Sequence, residues 1–192
     1  TGEEFTIWLQ LKTIAEIGII GLPNAGKSSL LAAITNANPK IANYQFTTLN
    51  PNLGVASYDN KEVTIADIPG LVEGAHKGVG LGDKFLRHVE RCKVLLHLID
   101  ITEKNLLDNY KKISHELFSY NKNLLKKKEI IIFNKSDMLD KKQYKEKEIY
   151  LKNKIDKKFE IISVFNNNDL SKIKKVLKWR PKTDVLDWLS SQ

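Results

Sequence analysis

Residues Gly21 to Ser28 read GLPNAGKS, a complete G-x-x-x-x-G-K-[ST] pattern, and NKSD follows at Asn134 to Asp137. Consecutive backbone N–H groups wrap a phosphate only where side chains leave room. Gly21 and Gly26 provide that room around Leu22, Pro23, Asn24 and Ala25. A helix opening at Lys27 would point its positive end at the anion. Lys27 is spaced to reach the β- and γ-phosphates and the Ser28 hydroxyl to ligate Mg²⁺, with Ser29 following in the first helical turn.

NKSD lies 107 residues beyond Lys27, after an apolar run of strand length. A carboxylate at Asp137 can accept hydrogen bonds from N1 and N2 of guanine. Adenine has no such donor pair and would leave the carboxylate unpaired, a mismatch that discriminates by ~10⁴ or more. Lys135 would lie along base and ribose with its aliphatic stem, between Asn134 and Ser136. The two motifs together predict that the chain binds GTP and GDP.

A third segment reads DIPG, from Asp67 through Ile68 and Pro69 to Gly70. Asp67 is expected to hold Mg²⁺ through water, and Gly70 to offer its N–H to the γ-phosphate. The simpler alternative is an acidic strand end before a Pro-Gly turn. Thr47 and Thr48 are candidates for a hydroxyl that meets the metal only when γ-phosphate is present. Ser163-Val164-Phe165 could close over the guanine O6 with backbone N–H, although the tripeptide alone says little. His76 could approach the γ-phosphate or an attacking water, or be an exposed loop histidine. His97, flanked by leucines, reads most simply as a core or interface residue.

The elements that must position these residues alternate along the chain. Ile14 to Ile20 reads as a strand and Lys27 to Thr35 as a helix, before an irregular stretch through Asn50. Leu53 to Ser57 and Val63 to Asp67 read as strands joined across Asp59-Asn60. Glycines 70, 74, 78, 80 and 82 punctuate a segment leading to a helix over Asp83 to Arg91. Val94 to Asp100 and Glu129 to Asn134 read as buried strands with a helix over Lys104 to Leu125 between them. Gln143 to Ile155 (helix), Phe159 to Val164 (strand) and Leu170 to Trp179 (helix) follow. The alternation predicts an α/β fold, a mainly parallel sheet with helices on both faces. Ligands in such folds sit at the carboxyl ends of strands, where both motifs fall.

Bulk properties agree. The 192 residues suffice for one domain with a single core, 42% are hydrophobic and 28% charged. No apolar run approaches the ~18 residues that span a bilayer, and the start lacks an export signal. Cys92 is the one cysteine, which rules out an internal disulfide and suits a reducing, cytoplasmic setting. The net charge of +8 is lopsided: residues 1–100 carry 9 basic and 10 acidic side chains, residues 101–192 carry 22 and 13. A basic half invites an RNA-contact reading, yet 28 of the 31 basic residues are Lys, and fork-shaped phosphate recognition favours Arg. Solvated helix faces are the plainer account. Trp8, Trp179 and Trp188 read as packing at domain ends.

GLPNAGKSSLLAAIT, YQFTTLNPNLGV (Tyr44 to Val55), ADIPGLVEGAHKGVGLGDKFLRHVERCKVLLHLID (Ala66 to Asp100) and NKSD closely resemble the Obg (CgtA) subfamily of GTPases. The likeness is densest over Ile14 to Asp100, thinner through Phe165 and absent from the last dozen residues. It implies a P-loop NTPase fold of the Ras-like G-domain type and a ribosome-associated GTPase acting in large ribosomal subunit assembly and in growth or stress control. It sharpens the metal set to Ser28 and Thr48 beside Asp67, and extends nucleotide contacts to Phe46, Thr47, Thr48, Leu49 and Asn50 and to Ser163 through Phe165. It also implies residues 1–12 as a connector from a preceding glycine-rich domain, residues 13–180 as the G domain and residues 181–192 as a tail, in a monomer. Two positions depart from the family: Ser163-Val164 stands where Ser-Ala is usual, and Gln45 where proline is usual.

Leu71 follows DIPG where many signalling GTPases carry a water-orienting glutamine. Hydrolysis would then rest on Mg²⁺, the phosphate loop with Lys27, Thr48 and Gly70, and a K⁺. The K⁺ reading attaches to Asn24, since resembling GTPases with asparagine here coordinate K⁺ beside the phosphates. The alternative is that Asn24 only stabilises the loop by local hydrogen bonds.

Overall fold

The computed structural model describes residues 14–35, 40–41, 51–58, 61–68 and 81–177, together with Gly2 and Glu4. The rest of the expected connector, the tail 181–192, the Asp59-Asn60 turn, His76 and the three tryptophans lie outside the described residues.

In chain order the elements are β1 (Ala15–Ile20), α1 (Lys27–Ile34), β2 (Lys40–Ile41), β3 (Asn52–Tyr58), β4 (Lys61–Asp67), α2 (Leu81–Glu90), β5 (Cys92–Asp100), α3 (Leu106–Tyr120), β6 (Lys128–Asn134), α4 (Lys141–Lys154), β7 (Phe159–Ile161) and α5 (Asn167–Val176). They build a seven-stranded sheet in the order β2-β3-β4-β1-β5-β6-β7. Strands β4, β1, β5, β6 and β7 run parallel, and β2 and β3 extend the sheet antiparallel beside β4. After β1 the chain winds to one side and then returns to β5 on the other. The neighbouring loops therefore part at the carboxyl end of β1 and open a crevice there.

Strand periodicity explains how the core is shared between the two faces. Val94, Leu96 and Leu98 of β5 join Ile17, Ile19, Ile130 and Ile132 against Leu30, Leu31 and Ile34 of α1 and Ile173 of α5. On the opposite face Leu95 and Cys92 meet Leu86 and Val89 of α2 and Ile113 and Leu117 of α3. Ile99, Ile131 and Phe133 pack there against Leu106 of α3 and Leu151 of α4. Strands apolar on both faces are what a doubly covered parallel sheet requires. Gly18 is part of this packing, because a Cβ on it would lie 2.8 Å from the Cys92 sulfur. Among the described residues no helix is long and apolar enough to cross a membrane.

Most element ends shift by one to three residues from those expected, and four differences go further or have a local cause. The single helix over Lys104 to Leu125 is broken, since the Asn121 side chain accepts the Asn123 N–H at 2.9 Å and opens a separate 3₁₀ turn, Lys122–Lys126. The last strand stops at Ile161 rather than Val164, because the Ser163 N–H turns to Asp169 Oδ2 at 3.1 Å. Two residues of the stretch read as irregular, Lys40–Ile41, pair with β3. The final helix opens at Asn167, ahead of Leu170, capped by the Asn166 side chain.

His97, wholly buried, occupies a core position on β5 through a polar network. Its Nδ1 lies 2.9 Å from Glu129 Oε1, its ring stacks on Tyr110 with centroids 5.2 Å apart, and Lys157 Nζ reaches Glu129 Oε2 at 2.7 Å. Burial alone would raise Glu129, but His97 and Lys157 outweigh it and bring its pKa from the usual 4.5 down to about 2. A depressed carboxylate stabilises the fold above its unfolded pKa and loses that contribution as pH falls through the folded one. Unfolding free energy is therefore expected to drop between pH 4.5 and about 2, and Glu129→Gln to flatten that limb in denaturant titrations. An unchanged acid limb would refute it.

Candidate nucleotide site

Three segments from three strand ends line one open cleft of about 510 Å³. Asn24, Gly26, Lys27, Ser28 and Ser29 come from the loop after β1 and the first turn of α1; Asn134, Lys135, Asp137 and Met138 from the end of β6 and the turn after it; Val164 and Phe165 from the loop after β7. Leu22, Pro23, Ala25, Ser136 and Ser163 belong to the same loops without lining the cleft. Phe46, Thr47, Thr48, Leu49, Asn50, Pro69, Gly70 and Leu71 lie outside the described residues.

The loop after β1 is shaped by three positive-φ residues, Gly21, Asn24 and Gly26, and by close approaches. Asn24 (φ 63°) and Gly26 (φ 95°) are left-handed, and a Cβ on Gly21 would sit 2.3 Å from the Leu98 carbonyl oxygen. Helix α1 opens with no side-chain cap and no acidic residue in its first turn. Its first N–H groups therefore present positive partial charge to the cleft, as an anion site needs. Lys27 Nζ donates to the carbonyls of Gly21 and Leu22, both at 3.1 Å, holding the ammonium over the loop. Burial lowers its pKa and the Asp67 carboxylate opposes part of that shift.

Asp67, at the end of β4, brings hard oxygen to the same place. Its Oδ2 accepts the Ser28 hydroxyl at 2.5 Å, while its buried Oδ1 has no partner among the described residues. Among the described residues no three His, Cys, Asp or Glu side chains converge as a metal cluster. Ser28 and Asp67 instead offer part of an oxygen set of the hard kind that Mg²⁺ takes, and the orphaned Oδ1 fits that use. Ile68 is buried in the core, its N–H donating to the Ile19 carbonyl at 3.3 Å.

Asn134 ties the three segments together. Its buried Nδ2 donates to the Ala25 carbonyl at 3.0 Å and its Oδ1 accepts the Val164 N–H at 3.3 Å. Lys135 then takes a left-handed turn, φ 68°. The reversal starts the 3₁₀ turn Ser136–Met138 and leaves the Asp137 side chain exposed in the cleft. The Ser136 N–H donates to the Ile162 carbonyl at 3.0 Å, which fixes the turn against the end of β7. The N–H groups of Ser163, Val164 and Phe165 all have partners within the chain: Asp169, the Asn134 amide oxygen and the Ser163 hydroxyl. To meet a base oxygen, one of them must exchange its partner. Phe165 is 83% exposed and Met138 65%, so two large apolar side chains flank the cleft mouth.

Met138 and Asp100 were not signalled by the sequence. Asp100 accepts the Lys135 ammonium at 2.5 Å from a position 35 residues away. Only the end-to-end register of β5 and β6, which pairs Asp100 with Asn134, would have revealed it.

Comparison with known proteins agrees with this geometry. Residues 16–135 match the model of the family described as 50S ribosome-binding GTPase. GTPase Obg of Pelagibacter ubique is 64% identical over 174 residues, 90% of this chain and 53% of that protein. GTPase Obg of Ehrlichia canis is 57% identical over 166 residues, 86% of this chain and 49% of that protein. The chain thus spans about half the length of the curated relatives it matches. Among solved structures, Aquifex aeolicus Era bound to GDP.AlF4- superposes with a TM-score of 0.62 at 23% identity, over 88% of this chain and 58% of that one. The G domain of T. maritima FeoB does so with a TM-score of 0.61 at 19% identity, over 83% and 93%. These two share the fold. Family match, fold and identity to the Obg proteins converge: the chain belongs to the 50S ribosome-binding GTPases, and within them to the Obg type.

Proposed function

We propose that this chain is a Mg²⁺-dependent switch that binds GTP, hydrolyses it slowly and acts in large ribosomal subunit assembly and growth or stress control. The observation that carries this reading is the shared cleft, in which the loop around Lys27, the Asp137 carboxylate and the loop at Phe165 meet. Backbone N–H groups between Asn24 and Ser29 hold the phosphates, Lys27 neutralises charge on the outer two, and Asp137 reads the purine edge. Ser28 and Asp67, with Thr48, are the residues to hold Mg²⁺, which when bound neutralises phosphate charge. Phe46 to Asn50 and Gly70 complete the γ-phosphate side. In this reading the protein acts as a cytoplasmic monomer, with ribosomal RNA a candidate contact for its basic second half. The residue bounds 1–12, 13–180 and 181–192 are those of connector, G domain and tail.

A second reading is a nucleotide-dependent ribosome-binding module in which hydrolysis is incidental. Leu71 favours it, because leucine offers no hydrogen bond to orient an attacking water. Single-turnover hydrolysis with and without large ribosomal subunits separates the two. Acceleration on the particles supports the switch, and an unaltered slow rate supports the module.

Asn24 motivates a salt prediction. It is exposed at the cleft in a left-handed conformation, φ 63°. A K⁺ beside its carbonyl oxygen would act as a fixed positive charge on the developing γ-phosphate anion, as an arginine finger does. Turnover is expected to be faster in K⁺ than in Na⁺, and Asn24→Ala to abolish the difference. Equal wild-type rates in both salts would end the idea.

A further inference from the structure

We propose that Asp100 is a positioning residue for guanine recognition, holding the Lys135 ammonium so that the lysine stem forms a fixed wall of the cleft. The inference rests on the guanine-nucleotide reading of that cleft. An unanchored surface lysine samples many rotamers, and a stem that must lie along a base would have to be ordered at each binding event. Here the ordering is built in. The left-handed turn at Lys135 sends the chain back on itself, and the ammonium meets Asp100 Oδ2 at 2.5 Å, where the carboxylate is only 12% exposed.

Asp100 is itself held on every side. Its Oδ1 accepts the Thr102 N–H at 2.9 Å and the Thr102 hydroxyl at 2.6 Å. The next residue, Ile101, donates its N–H to the Asn134 carbonyl at 2.9 Å, so the two strand ends are locked in register. From the far side, Lys147 of α4 donates to the carbonyls of Ile101 and Glu103. That helix is anchored at its start by a complete capping box between Asp140 and Gln143. Burial would raise the Asp100 pKa, but the hydrogen bonds from Lys135 and Thr102 outweigh it and keep the carboxylate charged at neutral pH. The result is a rigid bracket of β5, β6 and α4 beneath one flexible side chain.

The test is a double-mutant cycle on GDP affinity and release rate, using fluorescently labelled GDP with the wild type, Asp100→Asn, Lys135→Met and the double variant. Asn keeps an oxygen for Thr102 and removes only the anion facing Lys135; Met keeps the apolar stem and removes only the ammonium. Each single variant is expected to bind GDP ~10-fold more weakly, the scale of one lost hydrogen bond to a charged group. The double variant is expected to be no weaker than either single one. The preference for GDP over inosine diphosphate is expected to stay at its wild-type value, since Asp137 is untouched. Asp100→Glu, which retains the anion, is expected to recover most of the affinity and serves if the Asn variant folds poorly. Losses that multiply in the double variant, or Asp100→Asn and Asp100→Glu behaving alike, would show a structural role and overturn the inference. A wild type that fails to hold GDP would overturn the underlying reading as well.

Discussion

Asp137→Ala is expected to remove guanine selectivity while leaving the fold intact. The side chain is exposed in the cleft, so truncating it removes little buried surface. Two hydrogen bonds to a charged acceptor, each worth roughly 1.5–3 kcal/mol, put the expected loss of GTP and GDP affinity at about a hundredfold to ten-thousandfold. Inosine nucleotides, which lack the 2-amino donor, should already bind the wild type more weakly, and in the variant should match guanine nucleotides. Competitive displacement with GDP and inosine diphosphate reads both effects. A variant that still prefers GDP by the wild-type margin would place base recognition elsewhere.

Gly26→Ala is expected to damage both the cleft and the fold. At φ 95° an alanine is strained whatever its surroundings. Its Cβ would also lie 2.4 Å from the Asn134 amide nitrogen. Displacing that amide breaks its bonds to Ala25 and Val164, which between them join all three lining segments. Strain of about 1–3 kcal/mol plus two buried hydrogen bonds of about 1 kcal/mol each gives a lower unfolding midpoint. Guanine nucleotide release should accelerate together with it. Thermal unfolding and nucleotide release, measured on the same preparation, check this. Wild-type values in both would mean that the loop does not need glycine here.

Much of this architecture was legible because β5 and β6 are buried on both faces, and runs such as VLLHLID and EIIIFN have few other homes. Their carboxyl ends then carry Asp100 and NKSD into the crevice that the strand order opens. What escaped the sequence is decided by single side chains competing for backbone. Asn121 ends α3 by accepting an N–H two residues ahead, and Asp169 takes the Ser163 N–H that would have prolonged β7. Apolar residues continue past both points, as Leu124, Ile162 and Val164 are buried, so hydrophobic pattern alone ran through each boundary.

The site was legible in the same uneven way. Lys27, Ser28 and Asp137 announce themselves by motif, and the structure brings them to one cleft. Asn134 reads as part of a base-recognition motif, yet its amide is spent within the protein, linking Ala25 to Val164. Asp100 carries no motif at all. Its place beside Lys135 depends on strand register and on a left-handed turn at a non-glycine residue, neither of which composition or spacing encodes.

Calorimetric titration of the chain with GTP, and with ATP as competitor, in the presence and absence of Mg²⁺ tests the central claim most directly. Tight one-to-one binding of GTP strengthened by Mg²⁺, with ATP weaker by ~10⁴-fold or more, is the predicted result. Equal affinity for the two nucleotides, or no heat of binding with either, would contradict it.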